Sequence, residues 1–97
     1  MAKKVRWTTR AIIDRSKIYR YWLKRNQSNI YSEKLEDLFE KLAETISNFP
    51  HIGTQTSYRE VYTKIISNYK IFYRINADEI QILRVCDTRQ NPAKAGI

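Results

Sequence analysis

Between positions 69 and 76 apolar and polar side chains alternate one by one, with Tyr69, Ile71, Tyr73 and Ile75 in one set and Lys70, Phe72, Arg74 and Asn76 in the other. A period of two marks a strand with one face in a core. Shortly after, Ile80, Ile82, Leu83 and Val85 form a denser apolar run, and the polar link Asn76-Ala77-Asp78-Glu79 makes the two runs a β-hairpin. Apolar residues fill both alternation sets of the second run, which predicts a strand covered on both faces and central in its sheet. Its other neighbours must come from earlier in the chain.

The 97 residues have room for one domain with a modest two-layer core, and for no second domain. No apolar run approaches the length of a membrane span, and the basic N-terminus lacks the apolar stretch of a signal peptide, so a soluble, cytoplasmic chain is expected with no membrane partner. Cys86 is the one cysteine and His51 the one histidine. Neither a disulfide framework nor an ordinary zinc set can be assembled from them. Glycine occurs only at 53 and 96, too sparsely for a phosphate-cradling loop, and no cofactor or metal is expected.

The net charge of +8 is unevenly placed. Residues 1–25 hold nine Lys/Arg against Asp14 alone, residues 26–56 hold two against five acids, and residues 57–97 hold seven against four. A basic front and back therefore enclose an acidic middle, which favours an acidic protein or a nucleic acid as partner.

Lys3 to Trp7 alternates as a short strand, and Thr8 offers an N-cap oxygen to a helix over 9–25. Ala11, Ile12, Ile18, Tyr19, Trp22 and Leu23 line its apolar face, with Lys17, Arg20 and Lys24 opposite. Arg15 falls inside the apolar stripe, where its stem can run past aromatic rings to solvent. A second helix over 29–48 keeps the seam Tyr31, Leu35, Leu38, Phe39, Leu42 and Ile46 without a lapse. The two helices form an antiparallel hairpin. Phe49-Pro50-His51-Ile52-Gly53 ends it in a turn, which makes His51 a loop residue. A polar loop leads to strands over 58–64, 68–75 and 79–86. The expected fold is α+β with order β-α-α-β-β-β: the helical hairpin packs on one face of a mostly antiparallel four-stranded sheet whose first and last strands pair in parallel.

These residues together resemble the RelE/ParE superfamily of toxins from bacterial type II toxin–antitoxin systems. The resemblance spans about residues 4–92, with a core near 4–89 and a tail near 90–97. It rests on Trp7-Thr8-Thr9-Arg10-Ala11 with Asp14, Ile18 and Tyr21-Trp22; on Phe49-Pro50-His51-Ile52-Gly53; on Arg59 and Tyr69-Lys70-Ile71-Phe72-Tyr73; and on Ile82-Leu83-Arg84-Val85 with Asp87-Thr88-Arg89. It implies a toxin silenced by an acidic antitoxin, touching DNA only through that antitoxin. The RelE-like branch cuts mRNA in the ribosomal A site; the ParE-like branch poisons DNA gyrase.

Cleavage of RNA by 2′-OH attack needs a base, cations on the phosphate and a proton donor for the leaving oxygen. As a nuclease set the chain offers Lys64, Lys70, Arg74, Arg84 and Arg89, with Lys70 standing where the RelE-like pattern has a phosphate-binding arginine. Residues 87–97 contain neither Tyr nor His, and no lysine pair matches the RelE-like catalytic lysines before Tyr69. Alternation also puts Tyr69 and Tyr73 on the face opposite Lys70 and Arg74. The helix-one pattern and the proline–glycine turn resemble the ParE-like branch. A non-enzymatic gyrase inhibitor is therefore the first expectation, with Arg59, Lys70, Arg74, Arg84 and Arg89 meeting target or antitoxin. The alternatives are the ribosome-dependent endoribonuclease and a basic nucleic-acid-binding module.

Overall fold

The computed structural model describes residues 2–88. Strand β1 (Lys4–Trp7) leads into helix α1 (Thr9–Asn26), helix α2 (Ile30–Asn48) and a short 3-10 turn (Pro50–Ile52). Strands β2 (Thr54–Gln55), β3 (Val61–Ile66), β4 (Tyr69–Ile75) and β5 (Glu79–Asp87) follow. The sheet order is β1-β5-β4-β3-β2, with β1 parallel to β5 and the other pairs antiparallel. This is the expected α+β arrangement with one more strand.

The extra strand lies in what reads as a polar loop. Thr54 and Gln55 pair with Thr63 and Tyr62, because a strand this short on a sheet edge needs hydrogen bonds and no apolar face. The third strand begins at Val61, later than the expected 58, and runs on to Ile66. Residues 58–60 are held in a turn instead. The Val61 N–H donates to the Tyr58 carbonyl, Thr56 Oγ1 donates to the Val61 carbonyl at 2.8 Å, and Glu60 takes a left-handed φ of 60°. Local polar bonds here override the alternation of Tyr58 to Lys64.

Thr8 caps α1, its Oγ1 accepting from the Ala11 N–H. After Asn26 the chain turns at Gln27, whose φ is 53°, and α2 folds back so that Ser32 Oγ donates to the Tyr19 carbonyl at 2.8 Å. Leu35, Phe39, Leu42 and Ile46 of α2 then meet Tyr69, Ile71, Tyr73, Ile75, Ile80, Ile82 and Val85 in one core. Full burial of each such side chain contributes about 1.5–3 kcal/mol.

Strand β5 is an interior strand between β1 and β4, while β4 is the central one, and its dense apolar run has a cause other than cover on both faces. Phe72 pairs with Arg84 and Tyr73 with Ile82, so Leu83 is an extra residue in the ladder. That bulge lets Ile82 and Val85, three apart, both face the helices. The opposite, outer face has only a small cluster of Val61, Phe72, Leu83 and Cys86, and no helix covers it among the described residues. Helix α1 instead guards the edge of β5 beyond the end of β1. The Thr8 N–H donates to the Ile82 carbonyl, Thr8 Oγ1 donates to the Leu83 carbonyl, and the Val85 N–H donates to Asp14 Oδ2 at 3.0 Å.

Candidate interaction surface

Cross-strand register assigns each candidate side chain to a face, because directly opposed residues of antiparallel strands point the same way. Lys70 lies opposite Ile65 and Cys86, and Arg74 lies opposite Val61 and Gln81. Both are on the outer face, where Lys70 Nζ is 6.0 Å from the Phe72 ring centre. Lys64 lies opposite the fully buried Ile71. Its register places it on the helix side of the sheet, although it lines one open cavity together with Thr54, Thr63, Ile65 and Lys70. Arg59 is exposed in the turn before β3, and Arg89 lies outside the described residues.

Arg84 starts from the outer face, opposite Phe72, and reaches around the β5 edge to helix α1. Its Nε donates to Asp14 Oδ2 at 2.8 Å and its Nη2 to Asp14 Oδ1 at 3.1 Å. The pair is largely buried, with side-chain exposures of 18% and 12%. Hydrogen bonding to Asp14 raises the Arg84 pKa against the opposing effect of burial. Arg84 thus ties the edge of the sheet to helix α1 through Asp14.

Arg10 on α1 also acts on this region, through the Cys86 thiol. Burial raises the pKa of the Cys86 thiol, while Arg84, Lys70 and Arg10 pull it down and Asp14 pushes it up. Arg10, Lys70 and Arg84 thus all bear on the Cys86 thiol, with Asp14 opposing them. No spacing in the sequence links a residue at position 10 to that face, because the contact depends on where α1 crosses the sheet edge.

The strand tyrosines and His51 sit elsewhere. Tyr69 and Tyr73 face the core, as the alternation predicts. The Tyr69 hydroxyl accepts from Trp22 Nε1 at 2.7 Å. The Tyr73 hydroxyl donates to the Pro50 carbonyl at 2.7 Å and accepts from the Gly53 N–H at 3.0 Å. Desolvation raises the pKa of both phenols. His51 packs edge-on against Tyr62, ring centres 5.4 Å apart, in the 3-10 turn. Chemically, the outer face offers cations for an acidic or anionic partner.

Arg15 also departs from its expectation. Its guanidinium lies 4.3 Å from the Trp7 ring centre, past the aromatic rings as foreseen, but ends on carboxylates and not in solvent. Nη2 is 2.6 Å from Glu36 and Nη1 is 2.8 Å from Glu40. Burial opposes its charge, and the bonds to Glu36 and Glu40 outweigh that and raise its pKa. No helix among the described residues is long and apolar enough to cross a membrane.

Comparison with known proteins adds a family context to this geometry. A family model described as ParE toxin of type II toxin-antitoxin system, parDE, matches residues 5–92. No curated protein matches the chain by sequence. Among solved structures, a chain of the chromosomal ParDE toxin–antitoxin system from P. aeruginosa aligns with a TM-score of 0.63 at 22% identity, covering 89% of this chain and 96% of that one. A chain of the toxin–antitoxin complex RelBE2 from Mycobacterium tuberculosis aligns with a TM-score of 0.66 at 22% identity, covering 90% and 99%. At that identity the two alignments speak for the fold.

Proposed function

Because the chain belongs to the ParE toxin family of type II toxin–antitoxin systems, we propose that it stops growth in the cytoplasm by binding DNA gyrase as a protein ligand, and that a cognate acidic antitoxin silences it. The observation that carries this reading is the separation of the outer-face cations from the strand tyrosines. Lys70 and Arg74 are on the outer face, while Tyr69 and Tyr73 are on the inner face with their hydroxyls engaged. Arginine stays protonated near neutral pH, so Arg74 and Arg84 can hold charge but are poor at passing protons. A surface of that kind suits recognition better than RNA cleavage.

The reading as an mRNA endoribonuclease draws on one feature, the position of Lys70 opposite Cys86 on the outer sheet face, with Arg84 and Arg10 also acting on that thiol. One preparation of toxin, run in parallel in a gyrase supercoiling and cleavage-complex assay and on ribosomes programmed with mRNA, separates the two. Inhibited gyrase with intact mRNA is the expected result. A-site cleavage that disappears in Lys70→Ala, with gyrase unaffected, would overturn it. In either case DNA is reached only through the antitoxin, whose acids are expected to meet Arg59, Lys70 and Arg74.

A further inference from the structure

A cavity of about 560 Å³ opens where the last turns of α1 meet the neighbouring ends of β4 and β5. That volume is in the range of sites that take small organic ligands. Helical spacing supplies one wall: Tyr21 and Arg25, four apart, share a face of α1, with Trp22 turned to the core. Cross-strand register supplies the other, since Tyr69 and Asp87 are directly opposed and point the same way. Asn68, in the turn before β4, completes it.

Two donors of this cavity lack acceptors. Tyr69 is only 6% exposed. Its oxygen accepts from Trp22 Nε1 at 2.7 Å, which turns the phenol's own proton away from the indole, and no group among the described residues takes that proton. Arg25 is exposed, with its guanidinium carbon 5.9 Å from the Trp22 ring centre, and has no ion pair among the described residues. Asp87 adds a carboxylate, which bears on the Tyr69 phenol. The Tyr21 ring is 55% exposed and held edge-on to Trp22, centres 5.0 Å apart, so a flat face stays open beside the cavity.

A ligand that matches these walls carries a planar ring to stack, an anion for the guanidinium, hydroxyls for the carboxylate and an acceptor for the phenol. A nucleotide has all four in its base, phosphate, ribose hydroxyls and ring nitrogens. We propose that the cavity binds a purine nucleoside monophosphate, with its base on Tyr21 and Asn68, its phosphate on Arg25, its ribose hydroxyls on Asp87 and a base or ribose acceptor on the Tyr69 hydroxyl. A purine stacks better than a pyrimidine because its ring system is larger. The proposal holds whichever target the toxin acts on, since Tyr69 is on the helix side of the sheet while Lys70 and Arg74 are on the outer face.

The test is an NMR titration of the whole isotope-labelled chain with adenosine monophosphate, guanosine monophosphate, uridine monophosphate, adenosine and inorganic phosphate, each alone. With either purine monophosphate, saturable shifts are expected at the amides of Tyr21, Arg25, Asn68 and Asp87 and at the Trp22 indole, with half-saturation below about 1 mM. The other three ligands should bind at least about tenfold more weakly. Arg25→Gln should weaken the monophosphate about tenfold and leave adenosine unchanged. Tyr21→Ser should weaken both about tenfold. Both variants should keep their melting temperature, since both side chains are exposed. No saturable binding up to about 10 mM, binding that either variant leaves unchanged, or inorganic phosphate equal to the monophosphates would overturn the proposal. So would shifts confined to the outer sheet face, or a short RNA that shifts the same amides at least about tenfold more tightly, because the occupant is then a chain and not a mononucleotide.

Discussion

Arg84 and Asp14, seventy positions apart, form a two-point ion pair whose carboxylate also accepts the Val85 N–H. One side chain thereby satisfies a guanidinium and closes an unpaired strand edge. Replacing Asp14 with alanine leaves the largely buried Arg84 charge and the Val85 N–H without it. We expect a loss of about 2–3 kcal/mol, read from urea denaturation. A loss below about 0.5 kcal/mol would mean that solvent replaces the carboxylate at no cost.

The cations of the outer face should behave differently from that pair. Arg59→Ala, Lys70→Ala and Arg74→Ala together are expected to weaken antitoxin binding about tenfold or more and to flatten its salt dependence, with little change in melting temperature. Arg84→Ala should lower the melting temperature itself. Titration calorimetry at two salt concentrations, beside thermal melts, tells the two effects apart. If antitoxin affinity ignores both salt and the triple variant, the outer face is not where its acids bind.

Gly53 is required for space and not for backbone freedom, since its φ of −77° is open to any residue. An added Cβ would stand 2.5 Å from the Thr63 carbonyl oxygen and 2.6 Å from the Tyr73 hydroxyl. Gly53→Ala should therefore cost about 1–3 kcal/mol. Tyr73→Phe should cost about 1–3 kcal/mol as well, by orphaning the Pro50 carbonyl and the Gly53 N–H. The two sites share one contact, so the double variant should lose less than the sum.

Alkaline pH should unfold the domain through Tyr69 and Tyr73. Both phenols have folded pKa values raised above 10.0, by desolvation first. The folded state holds these protons more tightly than the unfolded one, so their contribution is fully present below about pH 10 and is lost as pH rises through the raised values. Phenolate absorbance and the far-ultraviolet helix signal, followed on one sample above about pH 10, should change together. Tyrosine ionisation completed while the helices stay intact would contradict the assignment.

The helices, the β4–β5 hairpin and the parallel pairing of first and last strands were legible in the residues, because each depends on local periodicity or on the length of a crossover. Thr8 was legible as a cap and Tyr69 and Tyr73 as core residues for the same reason. Strand β2 was not, since two exposed residues on an edge carry no hydrophobic pattern. The bulge at Leu83 imitated two-faced burial, because an inserted residue and a buried run look alike in a linear pattern.

The roles of the cations were decided by tertiary structure alone. Arg15, Arg84 and Lys64 have the same chemistry in the sequence as Lys70 and Arg74. Arg15 and Arg84 were claimed by Glu36, Glu40 and Asp14 from other elements, and Lys64 was turned to the helix side by its register. Which charges remain for a partner depends on distances between residues far apart in the chain, and those exist only once the helical hairpin has closed over the sheet.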